Sequence, residues 1–107
     1  MKLLDYLSNV QKRPGMYMAD GTCLRDLELI LSGYGAALHA HDIENDLNRF
    51  NQEFREYVYK ETQWSTNRGW AQAITDNSSS AEIAVEKFFS LTSGFLEEEK
   101  GIKDAFS

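Results

Sequence analysis

Between residues 22 and 41 the apolar side chains Leu24, Leu27, Leu31, Tyr34 and Leu38 recur three and four positions apart, with Ile30, Ala37 and His41 widening the stripe. At 3.6 residues per turn that spacing returns to one side of a helix, so it predicts a core helix over 22–41 on which the other segments must pack. With 107 residues the chain has room for one such core, burying roughly 65% of its unfolded surface. Its hydrophobic content of 42% against 26% charged is that of a folding globular domain.

The same period assigns the remaining segments. Leu3, Tyr6, Leu7 and Val10 make one face of a helix over 1–12, which Pro14 ends by pushing Arg13 out of the helical region. Phe50, Phe54, Tyr57 and Val58 give a helix over 48–61, and Trp70, Ala73 and Ile74 a short one over 68–76 behind the capping cluster Ser65-Thr66-Asn67. Ala84, Val85, Phe88, Leu91 and Phe95 carry a long helix over 79–99, with Ser79 and Glu82 as a capping box, Gly101 as its stop and 101–107 as a tail that docks Phe106 or frays. The predicted fold is all-α, a compact single-domain bundle of about five helices spanning 1–107.

Local signals refine this outline. Gly15 is expected to take a backbone conformation closed to other residues, Asp20-Gly21-Thr22 to supply a turn and an N-cap, and Met16, Tyr17 and Met18 to tuck against the central helix. Gly33 and Gly35 each cost about 1 kcal/mol in a helix interior, which predicts compensation by the close approach of another helix, with a local kink as the alternative.

Charge narrows the function. The net charge is -6, and the excess acid lies in residues 40–107. Phosphate backbones attract clustered Lys and Arg, so direct nucleic-acid binding is disfavoured and a basic partner is favoured. No apolar run approaches the roughly 18 residues of a membrane span, Asp5 interrupts what a secretory signal would keep apolar, and Cys23 is a lone cysteine; a cytoplasmic location is expected.

Catalytic chemistry finds little support. His39-Ala40-His41-Asp42 has metal-ligand residue types, and a metal-dependent enzyme using His39, His41 and Asp42 is the remote alternative. On a helix, however, residues two apart diverge by about 200°. Cys23 and His39 stand roughly 24 Å apart along one straight helix and cannot form a nucleophile–base dyad. Lys12 to Tyr17 resembles the short motif near the start of type II topoisomerase ATPase domains, yet Asp76-Asn77-Ser78-Ser79-Ser80 lacks the glycines that close backbone around a nucleotide. No catalytic residue, metal or cofactor is predicted.

A binding surface is. Asp42, Glu44, Asp46, Glu53 and Glu56 cluster in sequence beside Tyr57, Tyr59 and Trp64, which combines a negative field with aromatic anchors. Glu97-Glu98-Glu99 ranks second. The general alternative is a small acidic adaptor or regulatory protein that binds another basic protein.

Arg13-Pro14-Gly15-Met16-Tyr17, the run from Leu24 to Gly33-Tyr34, Phe54, Gly69-Trp70 with Ile74, and Glu82 with Phe88-Phe89 and Phe95 together resemble the layout of small bacterial proteins that accompany polymorphic toxins. Over residues 3–96 the chain is similar to immunity proteins of contact-dependent growth inhibition systems. The resemblance implies a cytoplasmic, non-enzymatic inhibitor that binds one cognate toxin C-terminal domain and neutralises it stoichiometrically. Many such toxins are nucleases, tRNA-cleaving ones included, whose basic clefts an acidic inhibitor suits. The resemblance carries no catalytic residues to this chain and does not assign its contact positions.

Overall fold

The amphipathic stripes become helices, with most of their described apolar residues turned inward; Tyr34, Ala37 and Leu38 of the central stripe lie outside the residues whose side chains are described. The computed structural model describes residues 3–40 and 49–106, with side chains described for 3–33 and 49–106. Among the described residues run five α-helices: α1 (Leu3–Lys12), α2 (Leu24–Ala40), α3 (Phe50–Thr62), α4 (Trp70–Asp76) and α5 (Ala81–Lys100). A radius of gyration of 13.0 Å matches the roughly 13 Å of a globular 100-residue domain, so the helices form one body around one core. The fold is an all-α single-domain bundle in which α2 packs on α3 and α4, and α5 packs on the same two helices from elsewhere. No described helix is long and apolar enough to cross a membrane.

Aromatic rings from α3, α4 and α5 fill the centre. Phe50 and Phe54 stack at 5.0 Å between ring centroids, Trp70 stacks on Phe88 at 5.0 Å, and Phe54 meets Trp70 edge-on at 5.3 Å. Such pairs add about 0.5–1.5 kcal/mol each beyond the area they bury, and their edge-to-face angles fix how the three helices sit. The stripes expected for α1 and α3 are buried in full, as are Leu24, Leu27 and Leu31 of α2. Thr92, at the margin of the α5 stripe, is fully buried because its hydroxyl donates to the Phe88 carbonyl at 2.7 Å. Phe106 docks on Phe89 at 5.1 Å, which ties the tail down.

Several local expectations change. Ile30 does not widen the core stripe: it is 41% exposed, beside Leu29 at 59%. Positive φ falls on Asp20 and Gly21, not on Gly15, because the chain reverses after the short 3-10 turn Pro14–Met16 rather than within it. Helix α2 starts at Leu24, two residues past Thr22, and the Asp26 carboxylate takes the Ala19 N–H at 2.8 Å. The N-cap of α5 is Ser80, whose hydroxyl accepts from the Ile83 N–H at 3.1 Å, so the Ser79–Glu82 box shifts by one residue and loses its acidic member. Gly101 does stop α5, in left-handed conformation at φ 70°. Met18 is buried and Tyr17 packs edge-on against Tyr6 at 5.4 Å, whereas Met16 is 69% exposed.

The close approach expected at Gly33 and Gly35 is absent at Gly33, while Gly35 lies outside the residues whose side chains are described. Nothing lies within 4 Å of where a Gly33 Cβ would stand, but a Cβ on Gly94 would stand 2.5 Å from the Tyr57 hydroxyl. Gly94 is what lets α5 lie on α3 at this point.

Candidate functional site

The α3–α5 contact brings together acids that are 40 residues apart in sequence. Residues 53, 56, 57, 60 and 61 recur on one side of α3 by helical spacing, and the buried Tyr57 fixes that side toward α5. There Lys60 Nζ bridges Glu98 Oε2 at 3.6 Å and Glu99 Oε1 at 3.5 Å, while Lys100 Nζ reaches Glu53 Oε1 at 3.5 Å. Glu53, Glu56 and Glu61 from α3 thus share a face with Glu97, Glu98 and Glu99 from α5, and Lys60 and Lys100 are the cations these bridges place among them.

Tyr57 registers that field. Its phenol is pushed up to about 12, first by burial and then by the charges of Glu61, Glu98, Glu99 and Glu97, all of which disfavour a phenolate. Glu53, Glu56, Tyr57, Lys60, Phe95 and Glu99 line a cleft of about 220 Å³ on this face.

The residues proposed from sequence divide. Glu53 and Glu56 belong to the face, and the second-ranked Glu97 to Glu99 join them there. Asp42, Glu44 and Asp46 lie outside the described residues, as does His41; His39 is on α2 with its side chain undescribed. Tyr57 is not a projecting anchor: it is 6% exposed and packs on Phe54 and Phe95. Tyr59 is 51% exposed, but two residues from Tyr57 it points about 200° around α3, away from α5. Trp64 is half-buried against the core and carries Lys87 Nζ 5.6 Å from its ring centroid, so it is engaged within the fold. Among the described residues no three His, Cys, Asp or Glu side chains gather as a metal-binding set.

Two other surfaces escaped the sequence reading. Met16, Leu29 and Ile30 form an exposed apolar patch around a hollow that Tyr17 and Asp26 also line. The other is a cleft of about 390 Å³ between α2 and α3, lined by Glu28, Ser32, Asn51, Gln52, Arg55 and Gly69. Its inner wall is structural. Gly69 has φ 95° and no side chain to cap α4, so Glu28 Oε2 accepts the Trp70 N–H at 3.0 Å from across the bundle. The Asn51 amide then joins the helices, accepting from Trp70 Nε1 at 2.9 Å and donating to the Glu28 carbonyl at 2.9 Å. A Cβ at Gly69 would overlap the Glu28 carboxylate. Burial raises the Glu28 carboxyl above its ordinary value, against the pull of the Ala71 and Trp70 N–H groups and of Arg25 and Arg55.

Compared with known proteins, the chain matches no family model, no curated protein and no solved structure.

Proposed function

We propose that the protein is the immunity protein of a contact-dependent growth inhibition system. It binds the C-terminal domain of a cognate toxin in the cytoplasm and neutralises it one-to-one, without catalysis. The observation that carries this reading is the composite acidic face of α3 and α5, where acids of two sequence-distant segments converge around Lys60. A surface of one sign steers a partner of the opposite sign and raises the association rate, so the face suits a basic protein. The toxin is a nuclease, and the face competes with nucleic-acid phosphate for its basic cleft; tRNA cleavage is the activity to test first. The resemblance of residues 3–96 to immunity proteins supports the same partner.

Co-expression with the toxin domain encoded immediately upstream tests the proposal. Growth restored by this chain, with a one-to-one complex on size-exclusion chromatography, is the expected result. Growth arrest despite soluble, folded protein would overturn it.

A further inference from the structure

The α3–α5 cleft has the chemistry of a receptor rather than of a solvated helix face. Its rim carries Glu53, Glu56 and Glu99, and its floor is formed by Tyr57 and Phe95. At about 220 Å³ it lies below the roughly 300–1,000 Å³ of pockets that take whole organic ligands, and it has room for the head of one side chain. Tyr57 is 94% buried, by its 6% exposure, yet its hydroxyl has no hydrogen-bond partner among the described residues. No fully buried described side-chain oxygen or nitrogen lacks a partner, so that hydroxyl keeps some contact with solvent, and Tyr57 lines the cleft. Glu56 likewise has no ion-pair or hydrogen-bond partner among the described residues. The molecule already places a cation here: Lys60 Nζ sits 5.2 Å from the Tyr57 ring centroid, between Glu98 and Glu99.

We propose that this cleft receives one arginine side chain of the bound partner and that Lys60 is its internal stand-in, displaced when the partner docks. The inference rests on the reading of the face as a partner-binding surface. A guanidinium presents donors in a planar fork, which suits the Glu56 and Glu99 carboxylates together with the Tyr57 hydroxyl, and it gains from the aromatic floor. Lys60 has its side chain 58% exposed, and its pairs with Glu98 and Glu99 are of the exposed kind that hold weakly, so exchange is easy.

The test uses N-acetyl-arginine amide, titrated into the isotopically labelled protein and followed by NMR. The largest shifts are expected at Tyr57, Lys60, Phe95 and Glu99. Lys60→Met should tighten binding at least threefold and Glu56→Gln should weaken it by a similar factor. Lys87→Met makes the same change in net charge roughly 18 Å along α5 from Glu99, beyond a Debye length, and should leave the affinity unchanged. Shifts spread equally to Glu82 and Glu86, or equal effects of Lys60→Met and Lys87→Met, would overturn the receptor. Because the probe is a single amino-acid derivative, a failed titration removes the receptor while protection against the toxin is scored separately.

Discussion

Gly94→Ala should change sign with the residue at position 57. In a helix interior alanine is favoured over glycine by about 1 kcal/mol, so the substitution alone should stabilise α5. Its Cβ, however, would stand 2.5 Å from the Tyr57 hydroxyl, with the ring carbon bearing that hydroxyl at 3.6 Å. The ring cannot swing aside freely, because it packs on Phe54 at 6.4 Å and meets Phe95 edge-on at 5.6 Å. Forcing it to move costs about 1–3 kcal/mol, the usual range for overpacking a core. Gly94→Ala should therefore leave the wild-type background neutral or less stable, by up to about 2 kcal/mol. Tyr57→Phe removes the clashing oxygen and leaves only the 3.6 Å contact, so in that background the same change should stabilise by about 1 kcal/mol. Tyr57→Phe by itself should stay within about 0.5 kcal/mol, since the hydroxyl has no hydrogen-bond partner among the described residues to lose. Urea unfolding of the four proteins, followed by circular dichroism with the slope checked for constancy, gives a coupling energy of about 1–3 kcal/mol. An equal effect of Gly94→Ala in both backgrounds would refute the contact.

Glu28→Ala should destabilise by about 1 kcal/mol or more, as the loss of a helix cap does, whereas Glu28→Gln keeps an acceptor for the Trp70 N–H and should match or exceed wild-type stability at pH 7 in thermal unfolding. Because burial raises the folded-state pKa of Glu28, the folded chain holds its proton more tightly than the unfolded chain, and ionisation costs stability as pH rises through that range. Any advantage of Glu28→Gln should accordingly shrink as pH falls below the raised Glu28 pKa. For Tyr57 the protonated phenol is favoured in the fold, so its contribution should be lost as pH rises from about 10 to about 12. The difference in stability between wild type and Tyr57→Phe across that range isolates this slope from the other tyrosines.

The stripes of α1, α3 and α5 were legible because a 3.6-residue period specifies a buried face without knowledge of what covers it. What was not legible depends on contacts between segments. Glu28 reads as one more exposed acid on the polar side of α2, yet it caps α4 from 42 residues away, and the only hint is that Gly69 offers no side chain to do so. Gly33 and Gly94 look alike in sequence, and only the position of Tyr57 makes one of them a contact and the other an exposed turn of helix. Tyr57 itself combines the stripe position of a core residue with the composition of an interface residue, and its stripe position decided its place. The acidic face is half visible in the sequence: Glu53 and Glu56 stand out by charge and Glu97 to Glu99 form a separate run, and the packing of α5 on α3 merges them.

The central claim is that this merged face captures a basic toxin domain, and association kinetics test it most directly. Glu56 and Glu97 have no ion-pair partner among the described residues to lose on the face, so reversing both to lysine leaves the Lys60 and Lys100 bridges intact. Stopped-flow mixing of Glu56→Lys/Glu97→Lys protein with the toxin domain should give an association rate constant at least tenfold below wild type, with a shallower dependence on salt. Glu82→Lys/Glu86→Lys, the same charge change at the other end of α5, should associate at close to the wild-type rate. Wild-type kinetics for the first variant combined with slow association for the second would contradict the account.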